Sequence, residues 1–221
     1  MPARLPTCWR RRWRDNRPRG MLAERDLRKA LRRVNSQPAH GYYSRFVEFR
    51  HLSAGSRASA GPKPLWSLGS KLYGGRFTPK GSFETVYLAE DPVTAMAEVS
   101  GVLYCSQAPM PRTPQPPWVL ITVEGILLRV LDLTAPEVQA AVGTNSQELT
   151  GAWRQVQAAG RLAPTQILGR VCYLSGRFEA IRYPSSKNIA GVCLGVFTDQ
   201  LRSPAMIRVL DPHGRLAQRL P

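Results

Sequence analysis

The stretch YGGRFTPKGSFETVYLAEDPVTAMAEV, residues 73–99, is the most informative part of this chain. A pair of glycines forms a turn that presents Arg76, and after a loop with proline and glycine a short apolar strand carries Tyr87. A helix then starts after Asp91, which suits an N-cap, and has Glu98 in its second turn. This order of turn, strand and helix predicts that the three side chains converge on one cleft.

The residue types in this stretch suit a phosphorylated ligand that contains a planar ring and a sugar. The planar guanidinium of Arg76 matches two-point contact with a phosphate or carboxylate, and Tyr87 can stack on a ring such as nicotinamide or adenine. Glu98 has small and apolar neighbours, so a partly buried carboxylate could stabilise a positive sugar centre. Taken singly, the three have ordinary explanations: a surface turn arginine, a core tyrosine and an exposed helix glutamate.

The rest of the sequence predicts an α+β protein with many short strands and a few helices between them. Apolar residues three to four positions apart predict an amphipathic helix over residues 21–34, and residues 118–133 predict two strands with a turn near Gly125. The other predicted elements are strands at 46–52, 86–89, 178–183, 191–197 and 206–210, helices at 92–102, 135–142 and 147–159, and a helix or mixed segment at 164–176.

Composition predicts how the chain is divided. Residues 53–72 are rich in serine, glycine and proline and predict a long loop of the kind that often binds or covers a ligand. Five prolines predict a surface insertion at 106–117. The predicted segments are a basic disordered leader (1–20), an N-terminal helix and linker (21–45), the main domain (46–210) and a C-terminal tail (211–221).

The chain has a formal net charge of +16, and much of the excess lies near the N-terminus. Residues 1–40 hold 12 Lys and Arg against 3 Asp and Glu, and such a basic segment can bind nucleic acid or an acidic partner. It can equally be a solvated leader, with Met21 as an alternative start. No apolar run approaches the roughly 20 residues of a membrane helix. Because no secretory signal is evident either, we expect a cytoplasmic protein.

Several common kinds of site are poorly supported by the sequence. The four cysteines (Cys8, Cys105, Cys172 and Cys193) form no CxxC pair, and the three histidines do not cluster near them. This spacing argues against zinc and against a disulfide framework, so we expect no metal. The chain also lacks the GxSxG elbow of serine hydrolases and the GxGxxG and GxxxxGK[ST] phosphate loops.

Together these motifs resemble the RES family, which is named for an arginine, a glutamate and a serine. The blocks that carry the resemblance are Gly74–Gly81, Val86–Pro92, Ala95–Val99 and Arg182–Ser186, and it extends over about residues 46–210. RES proteins are typically toxins of bacterial toxin–antitoxin pairs that consume NAD+ by hydrolysis or phosphorolysis. The resemblance therefore implies a fold similar to ADP-ribosyltransferases, with an NAD+ cleft.

The resemblance also implies site residues, of which Arg76, Glu98 and Ser185 would be catalytic. Arg76 would hold the NAD+ phosphate or the ribose on the nicotinamide side, and Glu98 would be the main catalytic carboxylate. Ser186 competes with Ser185 for the role of the family serine, because both follow Pro184. The residues that would bind NAD+ are Arg76, Tyr87, Tyr73, Arg50 and Ser186.

The partner implied by the resemblance is an antitoxin protein with a helix-turn-helix DNA-binding domain. The two proteins would form a hetero-oligomer, and the toxin itself would contact neither DNA nor a membrane. Two other functions stay open at this point. One is transfer of ADP-ribose to a protein target at the same cleft, and the other is non-enzymatic binding of nucleic acid through the basic N-terminus.

Overall fold

A computed structural model of the protein describes residues 22–52, 61–104 and 117–221. The predicted leader, residues 53–60 of the predicted loop and all but the last residue of the proline-rich insertion lie outside the described residues. The helices are α1 (Glu24–Arg33), α2 (Leu68–Tyr73), α3 (Pro92–Tyr104), α4 (Pro136–Ala141), α5 (Ser146–Thr150), α6 (Trp153–Ala158) and α7 (Pro164–Leu174). The strands are β1 (Gln37–Glu48), β2 (Thr85–Ala89), β3 (Trp118–Asp132), β4 (Ala180–Pro184), β5 (Val192–Phe197), β6 (Met206–Val209) and β7 (Arg219–Leu220).

Five strands close into a small barrel in the order β1-β2-β5-β4-β3, because β3 pairs back onto β1. One edge of β3 pairs with β1 from Val130 to Trp118, and its other edge pairs with β6 and β4. β3 and β4 run parallel, whereas the other pairs are antiparallel. The predicted mixture of helices and strands is confirmed.

The predicted turn near Gly125 is wrong, because β3 continues through this residue as one 15-residue strand. Gly125 lies opposite Gly41 of β1, and a Cβ atom at Gly125 would come within 2.7 Å of the Tyr43 ring. The glycine therefore makes room for an aromatic ring inside the sheet. From the sequence alone, a glycine that makes room for a ring cannot be distinguished from a glycine that forms a turn.

Other elements differ from the prediction in their bounds. The sequence predicts the first strand at 46–52, whereas β1 begins at Gln37 and ends at Glu48. Its first half has no apolar alternation and is extended because it pairs with β3, a tertiary effect that local sequence does not report. The helix expected at 147–159 is divided into α5 and α6 at Gly151, and α2 occupies the end of the predicted loop.

Two buried clusters hold the elements together. One lies between the strands and the helices and contains Leu27 and Leu31 of α1, Leu168 of α7 and the fully buried rings of Phe77 and Phe178. Burial of each such side chain stabilises the fold by about 1.5–3 kcal/mol. The second cluster is formed mainly by strand residues, such as those at alternate positions of β2, β3 and β5. No helix in the described residues is long and apolar enough to cross a membrane.

The barrel opens between β1 and β2, and this opening positions the site. Within the described residues the two strands are paired only where Ser44 meets Ala89. Beyond that pair β1 stays paired with β3, whereas β2 is paired with β5 over five residues from Thr85 to Ala89. The divergence leaves a gap whose walls are backbone and side chains of both strands.

Candidate active site

A cavity of about 300 Å³ lies where β1 and β2 diverge. Its wall is built from both strands, the glycine turn before β2, helices α2 and α3, and the first residues of α6. The charged residues in the wall are three arginines and one glutamate, namely Arg45, Arg76, Arg154 and Glu98. Its aromatic residues are Phe46, Trp66, Tyr87, Trp153 and Tyr183. A cavity with aromatic walls and a few charged groups is typical of ligand sites.

The turn that carries Arg76 is fixed by both of its glycines. Gly74 has φ +83°, a left-handed conformation that favours glycine. A Cβ atom at Gly75 would lie 2.4 Å from the Tyr87 hydroxyl, so only glycine allows this ring to approach. The Tyr87 hydroxyl accepts a hydrogen bond from the Phe77 N–H at 3.0 Å, and burial raises the pKa of Tyr87. The tyrosine thus anchors the turn with its hydroxyl while its ring lines the cavity.

Arg76 is a buried cation, and each of its hydrogen-bond partners among residues 22–52, 61–104 and 117–221 is uncharged. Only 8% of the residue is exposed, and one terminal nitrogen donates to the carbonyls of Leu149 at 2.7 Å and Gly151 at 3.0 Å. The other donates to Ser186 Oγ at 2.7 Å. Among the described residues no carboxylate lies within 4 Å of the guanidinium. A fixed cation without a counter-ion at a cavity wall is suited to an anionic ligand.

Glu98 is oriented through one of its two oxygens. Helix α3 begins as predicted, because the Asp91 carboxylate accepts the Thr94 N–H at 2.8 Å, and this places Glu98 on the cavity wall. Its Oε1 accepts from Ser185 Oγ at 2.6 Å and from the Ser186 N–H at 3.2 Å. No described residue donates a hydrogen bond to Oε2. One oxygen is therefore held by the protein and the other is available to a ligand.

The hydroxyl of Ser185 has its whole hydrogen-bonding capacity in use. Its oxygen accepts from the N–H groups of Lys187 and Asn188, each at 3.0 Å, while its hydrogen is donated to Glu98. A serine hydroxyl has one donor and two acceptor sites, so none remains. Ser185 is also buried, with 5% exposed. This geometry fits a residue that positions the glutamate better than a nucleophile.

The two adjacent serines connect the arginine with the glutamate. Ser186 accepts from Arg76 through its side chain and donates to Glu98 through its backbone, while Ser185 donates to Glu98 through its hydroxyl. The loop is tied to α3 by the Asn188 side chain, which donates to Thr94 Oγ1 at 2.9 Å. The sequence left open which serine matters, and the structure gives each a separate contact.

The structure brings most of the predicted site residues together. Arg76, Tyr87 and Glu98 line the cavity, with Ser185 and Ser186 joined to them by hydrogen bonds. It does not bring Tyr73 and Arg50 to the wall. Tyr73 is 69% exposed, and Arg50 has an exposed side chain that forms an ion pair with its neighbour Glu48.

Several residues of the cavity wall were not identified from the sequence. Arg45 and Trp66 lie in segments without a motif, and so does Trp153, which is half-buried at the cavity. Gln166, which is fully buried, donates to the Gly75 carbonyl at 3.1 Å and so supports the turn from α7. No local pattern marks a helical glutamine for this purpose.

Cys193 lies beside the glutamate as a buried thiol. Its Sγ is 4.0 Å from Glu98 Oε1, and the residue is only 2% exposed. Burial, followed by the nearby Glu98 carboxylate, raises the pKa of Cys193 to about 12, so the thiol is neutral at physiological pH. The described residues contain no group of three or more His, Cys, Asp or Glu that could hold a metal ion.

Comparisons with known proteins match this chain to one family. The RES domain model matches residues 30–218. The proteins named NAD(+) phosphorylase MbcT from Mycobacterium bovis and Mycobacterium tuberculosis are each 31% identical to the chain over 96 residues. The match covers 43% of this chain. It spans 52%, or about half, of the length of each of these relatives.

A solved structure shares the fold. It is the crystal structure of the M. tuberculosis MbcT–MbcA toxin–antitoxin complex, with a TM-score of 0.60 and 18% sequence identity. The similarity covers 89% of this chain and 90% of the matched chain. The mixed barrel described above is therefore an architecture that a protein of known structure also has.

Proposed function

This chain belongs to the RES domain family, and on that premise we propose that it is an NAD+-degrading enzyme and the toxin of a toxin–antitoxin pair. The observation that carries the proposal is the connection of Arg76 and Glu98 through Ser185 and Ser186 at one cavity. The names of the MbcT relatives and of the complex with a similar fold support it. In this proposal the barrel is an ADP-ribosyltransferase-like fold and the cavity is its NAD+ cleft.

The proposed reaction cleaves the bond between nicotinamide and ribose. NAD+ binds with the nicotinamide ribose against Glu98 Oε2, the oxygen to which no described residue donates. The bonding electron pair leaves with nicotinamide, whose ring nitrogen becomes neutral, and the sugar becomes positive. The fixed carboxylate stabilises that charge in the transition state. A phosphate oxygen then attacks the sugar carbon and gives ADP-ribose 1-phosphate, or water attacks and gives ADP-ribose and a proton.

The other wall residues have supporting roles in this proposal. Arg76 neutralises negative charge of the NAD+ phosphates, and none of its three hydrogen-bond partners among the described residues is charged. The ring of Tyr87 provides a surface for a planar base. Because the hydrogen bonds that hold Arg76 and Glu98 are already formed, the site needs little rearrangement during the reaction.

We also propose that an antitoxin protein with a helix-turn-helix DNA-binding domain binds this chain in the cytoplasm. The resemblance to the RES family carries this step, and the net charge of +16 would favour fast association with an acidic partner. The toxin would not contact DNA directly. In this arrangement the antitoxin blocks the cleft until it is removed.

The test of the enzymatic proposal is release of nicotinamide from NAD+ by purified, antitoxin-free protein. We expect the wild type to release it, and Glu98→Gln to be slower by about 100-fold or more, because a neutral amide cannot stabilise a cationic sugar. The matched control is Glu137→Gln, the same change at an exposed position of α4, which should retain full activity. Comparing assays with and without phosphate identifies the acceptor. Folded wild-type protein that leaves NAD+ intact in both would contradict the proposal.

A further inference from the structure

The turn that carries Arg76 rests on the first half of α7. It is closed by two backbone hydrogen bonds, from the Gly75 N–H to the Thr78 carbonyl at 2.8 Å and from the Thr78 N–H to the Gly75 carbonyl at 3.3 Å. Arg76 and Phe77 lie between these two residues. A Cβ atom at Gly169 of α7 would overlap the Phe77 carbonyl, so this glycine lets the helix touch the backbone of the turn.

Gln166, one helical turn before Gly169, binds both ends of the turn with a single amide. Its Nε2 donates to the Gly75 carbonyl at 3.1 Å and to the Thr78 carbonyl at 3.4 Å. Its Oε1 accepts from the Ala163 N–H at 3.1 Å and so also caps α7. An ionised glutamate would serve the cap equally well, but it has no hydrogen to donate to the two carbonyls. The amide is therefore required by the turn and not by the helix.

The same amide is connected to α6, which supplies another part of the cavity wall. Gln166 Nε2 also donates to Gln157 Oε1 at 2.7 Å, and Gln157 Nε2 donates to the Tyr73 carbonyl at 2.9 Å. Gln157 lies one helical turn after Trp153 and Arg154, which both line the cavity. The two glutamines thus join α7, the turn and α6 into one unit.

Arg76 holds the same segment from its other end. Its guanidinium donates to the carbonyls of Leu149 and Gly151, which precede Gln157 in the chain. The turn and residues 149–157 are therefore tied at two places, once by Arg76 itself and once by the glutamines. The position of the guanidinium at the cavity depends on both ties.

We propose that Gln166 and Gln157 are positioning residues that fix the Arg76 turn against the α6 wall and thereby set the affinity for NAD+. Neither glutamine lines the cavity, so the effect passes through the turn and α6. This inference rests on the proposed function, because it takes NAD+ as the ligand of the cavity. In that function Arg76 contacts the phosphates in the ground state and the transition state alike. Displacing it therefore raises the KM and leaves kcat nearly unchanged.

The test compares two buried glutamines by steady-state release of nicotinamide from NAD+. Gln139 is the matched control for Gln166, because it is also buried and its amide donates to the Leu133 carbonyl at 2.7 Å, outside the cavity wall. We expect Gln166→Met and Gln139→Met both to lower the Tm, because each loses a buried hydrogen bond. Only Gln166→Met should raise the KM, by about three- to tenfold, the effect of losing a neutral hydrogen bond, with kcat within about twofold.

Gln157→Met tests the same contact from a half-buried position. It should raise the KM by a similar factor, whereas Gln155→Met, at an exposed position of α6, should not. The double variant of Gln157 and Gln166 should raise the KM by less than the product of the single effects, because both changes remove the same 2.7 Å hydrogen bond. If Gln166→Met does not fold, Gln157→Met and its control decide alone.

The outcomes that would overturn the inference are distinct from failure of the enzyme. An unchanged KM in the Gln166 and Gln157 variants would overturn it, and so would a loss confined to kcat. An equal rise of the KM in the Gln139 control would reduce the effect to general destabilisation and overturn it too. Wild-type protein that releases no nicotinamide would instead refute the proposed function.

Discussion

Replacing Ser185 with alanine should slow catalysis without preventing NAD+ from binding. The change removes the 2.6 Å hydrogen bond to Glu98 Oε1 and leaves the Ser186 N–H, at 3.2 Å, and the weakly donating Cys193 thiol, at 4.0 Å, to orient that oxygen. A hydrogen bond to a charged group contributes about 1.5–3 kcal/mol, which corresponds to a decrease in kcat of about 10- to 150-fold. The KM for NAD+ should change by less than about threefold, because Ser185 is not exposed to the cavity.

The assay is steady-state nicotinamide release by Ser185→Ala and Ser186→Ala, with folding checked by circular dichroism. Ser186→Ala should instead raise the KM, because it removes the hydroxyl that accepts from Arg76. Ser175→Ala, a serine at the exposed end of α7, is the control and should behave as wild type. A loss of kcat beyond about 10⁴-fold in Ser185→Ala would indicate a covalent role for the hydroxyl and refute the positioning argument. Identical profiles for the two serine variants would refute their separate roles.

Further predictions concern the turn, the arginine and the buried thiol. Gly75→Ala places a Cβ atom 2.4 Å from the Tyr87 hydroxyl and should destabilise the fold by about 1–3 kcal/mol, which would be measured as a lower Tm. The control is Gly41→Ala, whose Cβ atom would meet no atom within 4 Å, and it should retain the wild-type Tm. Arg76→Lys keeps the charge but cannot reach three acceptors, so NAD+ affinity should fall about tenfold or more in titration calorimetry; unchanged affinity would contradict the geometry. The pKa of Cys193 rises on folding from 9.0 to about 12, so the folded state favours the neutral thiol. This contribution to the free energy of unfolding is complete below pH 9 and is lost as the pH rises towards 12. In urea unfolding above pH 9, the free energy of unfolding should therefore fall less steeply with pH for Cys193→Ala than for wild type. An equally steep fall in both proteins would contradict the raised pKa of Cys193.

The sequence predicted the part of the site that local structure determines. Arg76, Tyr87 and Glu98 lie on a turn, a strand and a helix that follow one another directly, so their convergence requires only that these elements pack in order. Asp91 caps the helix as its position predicted. Ser185 and Ser186 lie 87 and 88 residues beyond Glu98, and only the resemblance to a family connected them with it.

The sequence could not predict contacts that depend on how distant strands pair. Arg45 reaches the cavity because β1 separates from β2 after one residue pair, a consequence of its long pairing with β3. That pairing also makes β1 begin at Gln37 and keeps β3 continuous through Gly125. In each case the local composition is typical of a loop or a turn, and tertiary pairing overrides it.

A crystal structure of Glu98→Gln with NAD+ bound would test the proposed active site directly. Removing the carboxylate should prevent turnover while Arg76, Ser185 and Ser186 keep their positions. We expect NAD+ in the cavity between β1 and β2, with the nicotinamide ribose within hydrogen-bond distance of residue 98 and the diphosphate near Arg76. NAD+ bound outside this cavity, or with its nicotinamide ribose away from residue 98, would contradict the proposed roles of the cavity and of Glu98.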